Sequence, residues 1–130
     1  MPIDYVIDAN AGVVTVTARG AVSQADDLAC FRALLADRDF AAGLRLLLDY
    51  RERESVASAD EARELAEEMR RLGELFGDSR FAIVVGSDLA YGMGRMVSSL
   101  SERDFPPVGV FRDLEEAQHW LDPGGEPTEP

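Results

Sequence analysis

The sequence predicts an α/β domain: a mixed β-sheet with an N-terminal β-hairpin followed by parallel βα units, in the order β-β-α-β-α-β-α-β-α. Three observations predict it. Two β-branched segments flank a turn at the start of the chain, two short apolar runs follow in the interior, and each interior run leads into an amphipathic pattern opened by a capping signature.

Residues 3 to 8 and 13 to 19 are rich in Ile, Val, Tyr and Thr and enclose Ala9-Asn10-Ala11-Gly12, a hairpin turn between antiparallel strands. Ser23 opens Ser-Gln-Ala-Asp, an N-cap with acids in the first turn. Leu28, Phe31 and Leu35 follow at helical spacing, giving a helix from about 24 to 36. Leu44 to Tyr50 is a nearly continuous apolar run. Its brevity and the preceding Gly43 favour an inner strand covered on both faces over a buried helix.

Ser58 and Glu61 have the spacing of a capping box ahead of Ala62, Leu65, Ala66, Met69, Leu72 and Phe76. These form one apolar stripe, with Glu64, Glu67, Glu68, Arg71 and Glu74 opposite, and the helix ends near Gly77. Phe81 to Gly86 is the second buried strand. Ser87 or Asp88 caps a helix that places Leu89, Met93, Met96, Val97 and Leu100 on one face. After Pro106-Pro107, Val108 to Phe111 form a last short strand. Asp113 then starts a helix that buries Leu114, Ala117, Trp120 and Leu121. A single domain over residues 1–122 is expected, with a Pro-, Gly- and Glu-rich tail at 123–130 that is too polar to order itself. Right-handed crossovers make the last three strands mutually parallel and leave the hairpin as an antiparallel edge, with helices covering the sheet.

Composition narrows function by exclusion. The 130 residues carry 25 acidic against 13 basic side chains, a formal charge of −12, and that field repels nucleic acid and anionic membranes. Cys30 is the only cysteine, so neither an intramolecular disulfide nor a multi-cysteine zinc site is expected. The N-terminus has no basic-then-apolar signal pattern and no apolar run is long enough for a membrane span, which together lead us to expect a cytoplasmic protein. All the basic residues are arginine, so no Walker-type lysine exists. Gly92-Met93-Gly94 lacks the third glycine of a dinucleotide fingerprint, and the one histidine lies far from the one cysteine. No catalytic set, metal set or cofactor is expected.

Several segments taken together look familiar: Ile3-Asp4-Tyr5, Leu46 to Arg51, Ser87-Asp88-Leu89-Ala90-Tyr91-Gly92-Met93-Gly94-Arg95-Met96, and Val110 to Ala117. Over about residues 3 to 121 the chain resembles uncharacterised bacterial members of the SpoIIAA-like superfamily, the fold of STAS domains and anti-sigma-factor antagonists. The resemblance implies a small mixed-sheet domain that works by binding another protein, another copy of itself, or a small apolar or anionic ligand. The better-known antagonists carry a phosphorylatable serine in an Asp-Ser-Ser-Gly-like loop. The matching stretch, Glu54 to Asp60, has serines but neither the glycine nor the acidic-serine order. Ser58 is the position where such a phosphate would sit, and its role as a helix cap is the stronger reading.

Candidate binding residues gather at the carboxyl edge of the parallel strands, where open α/β sheets bind ligands. Asp49 and Arg51 leave one strand there, with Tyr50 between them, and Ser87 and Asp88 leave another. Tyr91 and Arg95 follow at i and i+4 on the next helix. In a functional reading Arg51, Arg95 and the helix N-terminus hold an anionic ligand or a partner's carboxylate, in a pocket of at least about 300 Å³. In a structural reading Asp49 pairs with Arg51 or Arg95 and Tyr91 packs at the sheet edge. Gly92 and Gly94 each weaken their helix by about 1 kcal/mol relative to alanine, which suggests a close backbone approach. Met93, Met96 and Phe105 are candidates for core, a pliable pocket or a dimer contact. The leading expectation is a non-catalytic regulatory domain, homodimeric and acting through protein contacts. The alternative is a small-ligand binder at the strand edge, and an enzyme using Asp49 or Asp88 ranks last.

Overall fold

The computed structural model describes residues 2–54, 58–100 and 107–122. The expectations for Ser55 to Ala57, for Phe105 and for the tail at 123–130 fall outside the described residues. Within them the elements run β1 (Ile3–Asp8), β2 (Val13–Gly20), α1 (Gln24–Ala36), β3 (Arg45–Arg53), α2 (Ala59–Phe76), β4 (Phe81–Val85), α3 (Asp88–Leu100), β5 (Val108–Phe111) and α4 (Leu114–Leu121). The predicted order holds throughout.

The five strands lie in sequence order, β1-β2-β3-β4-β5. β1 pairs antiparallel with β2 through the hairpin, and β2, β3, β4 and β5 are parallel. The hairpin's second strand therefore joins the parallel array and β1 alone is the antiparallel edge. Because the strand order only steps forward, three successive right-handed crossovers bring α1, α2 and α3 to the same face. Their core contains Val14, Val16, Leu46, Leu48, Phe81 and Ile83 from the sheet, with Phe31, Leu34, Ala66, Phe76 and Val97 from the helices. Phe76 stands edge-on to both Phe40 and Phe81, with ring centroids 5.0 Å apart in each pair.

α4 follows the last strand and is free of the crossover rule. It packs on the other face, where Trp120, Leu121 and Ala117 cover Leu47, Ala82 and Val84. Arg80 holds it there, donating from Nη1 to the Trp120 carbonyl (2.7 Å) with its guanidinium 5.4 Å from the indole centroid. One helix does not reach across the sheet, so Val6 on β1 is 67% exposed. β3 and β4 are covered on both faces as expected, whereas the hairpin is covered on one only.

The helix starts follow the capping signatures. Ser58 Oγ accepts from the Glu61 amide (3.2 Å), and Glu61 returns the bond to the Ser58 amide (3.0 Å). Ser23 and Asp26 make the same box for α1. Two apolar faces differ from the expected ones. α1 buries Asp27, Cys30, Phe31 and Leu34, with Leu35 only packed against the margin of the core. On α3, Leu89 points outward at 64% exposure, because Ala90, Met93, Gly94 and Val97 form the inner face.

Candidate functional site

The carboxyl ends of β3, β4 and β5 meet as the topology requires, and the predicted residues all stand there. Their side chains, however, are partnered locally. Asp49 and Arg51 are two apart on a strand and share a face. Arg51 forks onto the carboxylate, Nε to Oδ1 and Nη2 to Oδ2, both at 2.8 Å. This bond holds the Asp49 carboxyl below the ordinary aspartate range and raises the guanidinium in turn. Asp88 pairs with Arg112. Arg95 sits with Tyr91, its Nη1 3.5 Å from the phenol oxygen and its guanidinium 6.0 Å from the ring centroid. Ser87 Oγ accepts from the Ala90 amide (3.1 Å) and so caps α3. Of the two structural alternatives for Asp49, the pair with Arg51 is the one that forms. Arg112 was missed, although the same strand-end logic applied to β5 points to it.

Two glycines explain how the edge closes. A Cβ on Gly86 would lie 2.3 Å from the Arg51 carbonyl oxygen, so only glycine lets the ends of β3 and β4 meet there. A Cβ on Gly94 would come within 2.9 Å of Val110 Cγ1, which is the close approach its place in a helix suggested. Gly92 has open space around its Cβ position and no such reason.

The cavity at this end lies one layer below the predicted residues, between the sheet and the α2–α3 pair. Tyr50 and Arg53 of β3, Val85 of β4, Leu65 of α2, and Ala90 and Met93 of α3 line it, and its volume is about 70 Å³. None of Arg51, Ser87, Tyr91 or Arg95 lines this cavity. This cavity is therefore not the pocket of at least about 300 Å³ expected to be walled by those residues. Arg51 is neutralised at the surface by Asp49, and the concavity forms where Gly94 and Ala90 leave room against β4.

Arg53 reaches this cavity because of a bulge. Thr17 pairs with Asp49 but Arg19 pairs with Glu52, so β3 carries one extra residue between those pairs. An extra residue inverts the alternation of faces. Arg53 then shares the helical side with Tyr50, opposite to Asp49 and Arg51. From there its Nη2 donates to Asp27 Oδ2 and to the Val22 carbonyl, each at 2.9 Å. Tyr50 donates its hydroxyl to Asp27 Oδ1 at 3.0 Å, and the guanidinium stacks 5.3 Å from the Tyr50 ring. Arg53 Nε is buried and has no hydrogen-bond partner among the described residues.

Burial raises the Asp27 carboxyl above the usual range against the opposing pull of Arg53 and Tyr50, and it drives the Tyr50 hydroxyl well above its usual value. This network was not anticipated. The available signal was Asp27 itself, an acid at helical spacing with Phe31 and Leu34 on the face that faces the sheet.

The remaining candidates are placed simply. Ser58 is the exposed cap of α2. Cys30 is buried and its thiol is pushed up to about 11, mainly by desolvation. His119 lies exposed in the last turn of α4. Met93 lines the cavity and Met96 packs on the core margin. Among the described residues no cluster of His, Cys, Asp and Glu is arranged for a metal ion, and no helix is long and apolar enough to cross a membrane.

Neither a protein-family model nor a curated protein sequence matches the chain. Among solved structures, an uncharacterised protein of the DUF3478 family from Shewanella loihica PV-4, described as having a SpoIIAA-like fold, aligns with a TM-score of 0.61. The alignment is 17% identical and covers 92% of this chain and 91% of that one. At that identity the likeness speaks for the fold alone. With the mixed sheet, the strand order and the four helices in agreement, the chain has a SpoIIAA-like fold.

Proposed function

We propose that the chain is a non-catalytic regulatory domain that works through protein contacts, with a second copy of itself as partner. The observation that carries this reading is the α2–α3 cavity beside an exposed leucine. Its volume of about 70 Å³ is roughly half that of an engineered apolar cavity that binds benzene, so it suits one aliphatic side chain. Leu89 stands exposed on α3, one turn before Met93, which lines that cavity. A knob and a hole on the same helix are self-complementary, and a two-fold axis places each Leu89 in its partner's cavity. The acids at the strand edge support a non-catalytic role, since Asp49 and Asp88 are each held by an arginine. The charge of −12 supports partners other than nucleic acid or an anionic membrane.

Native mass spectrometry at micromolar concentration tests the dimer directly. The expected result is a dimer that Leu89→Asp converts to a folded monomer. A wild-type chain that stays monomeric there overturns the reading.

A second reading, a binder of small anionic ligands, draws on one observation. Arg53 lines the cavity and its buried Nε has no hydrogen-bond partner among the described residues, as a site for a small carboxylate requires. The small volume ranks it second. Its signature in the same spectrum is an added mass that disappears when Ala90→Leu narrows the cavity.

A further inference from the structure

We infer that the open edge of β1 is a docking site for an extended basic peptide, added to the sheet as a further strand. This surface lies at the opposite edge of the sheet from β5 and stands apart from the dimer contact proposed above.

Among the described residues β1 has a strand on one side only. The Arg19 amide donates to the Pro2 carbonyl at 2.8 Å, which sets the phase of the ladder with β2. Alternation then directs the backbone groups of Ile3, Tyr5 and Ile7 away from β2, toward the free edge. Beside that edge, between β1 and α1, lies a cavity of about 250 Å³. Ile3 and Cys30 floor it, and Ala29 and Ala33 form a low helical wall of small side chains. A strand laid along β1 bonds the three outward residues, and every second side chain it carries projects toward α1 into this space.

Charge selects the occupant. Among the described residues Asp4 and Asp26 line the cavity and no arginine does. Asp37, which accepts the Tyr5 hydroxyl at 2.7 Å, adds a third carboxylate nearby, held ionised by the Asp39 amide and that hydroxyl. A second copy of β1 is the poorer fit. The ladder phase forces even-numbered residues opposite even-numbered ones, so Asp4 and Asp8 of both strands would gather on one face and repel. The acids that guard this edge against its own kind attract a strand that alternates basic and aliphatic residues.

Fluorescence anisotropy with the full chain and a fluorescein-labelled peptide of alternating lysine and valine tests the inference. Saturable binding is expected, weakened by about tenfold or more when alternate peptide amides are N-methylated, because those amides supply the strand bonds. Ala29→Trp, at an exposed position that fills the groove, is expected to weaken it as much, and Asp4→Asn several-fold. The inference is overturned by no binding, by equal affinity for plain and N-methylated peptide, or by a dimer that Ala29→Trp dissociates. The N-methyl comparison stands even if Ala29→Trp fails to fold, and the dimer test at Leu89 is read independently.

Discussion

Two arginines near the end of β3 each hold an aspartate, and the two pairs differ in almost every physical respect. Arg51 takes its partner from two residues away on its own strand, and its side chain is 43% exposed. Arg53 takes Asp27 from α1, across the sheet surface, and the two side chains are 12% and 4% exposed. The first pair neutralises a surface and contributes little. The second fixes how α1 sits on the sheet, because a buried guanidinium has no water to replace a lost carboxylate. Geometry alone would rank the bidentate surface pair higher, and burial reverses that order.

Breaking the buried pair should have the largest effect. Asp27→Ala leaves the Arg53 charge and the Tyr50 hydroxyl without their acceptor and should cost about 3–5 kcal/mol in urea unfolding. A double change, Asp27→Leu with Arg53→Met, should recover most of that loss, since two apolar groups carry no desolvation penalty. If Asp27→Ala unfolds no more easily than Asp49→Ala, the contrast between the pairs is wrong.

The next effect concerns the backbone that joins the two arginines to β4. Gly86→Ala places a methyl group 2.3 Å from the Arg51 carbonyl oxygen and should cost about 1–3 kcal/mol, as the strand ends must move apart. Gly92→Ala, a few residues on, meets open space and should stabilise α3 by a few tenths to about 1 kcal/mol. The opposite signs sharpen the claim that space, and not glycine content, governs this edge.

Asp49→Ala should be the mildest, under about 1 kcal/mol after solvent screening and smaller still in high salt. The pH dependence separates the pairs once more. The Asp49 carboxyl is depressed in the folded state, so its contribution is full above the ordinary aspartate value of about 3.9 and fades as pH falls through the lower folded value. The Asp27 carboxyl is raised, so its ionisation works against folding as pH rises through the higher folded value. Carbon-13 NMR titration of the side-chain carboxyls should place Asp27 above and Asp49 below the ordinary range, and a shared midpoint would remove the distinction.

Much of the architecture was legible because its signals are local. The boxes at Ser23 and Ser58 are completed by residues three positions on, and the apolar runs at Leu44 and Phe81 are short enough to be strands. The Asp49–Arg51 pair was legible for the same reason, since residues two apart share a face wherever a strand keeps its regular alternation. Leu89 was misassigned because it shares a stripe with Met93 and Val97 on the helix wheel, yet lies beyond the end of β4, where there is no sheet to cover it. Arg53 was passed over because the apolar run stops at Tyr50 while the strand continues to Arg53.

By itself the sequence determined the order of elements, their caps and the parallel crossovers that join the last three strands. Each of these follows from periodicity, side-chain hydrogen bonds over a few residues, and the chirality of the chain. Only the tertiary structure decided the bulge, the burial of Asp27 against Arg53, the position of the cavity and the bare edge of β1. Those depend on register between strands, where one extra residue sends every later side chain to the other face, and no local pattern records it.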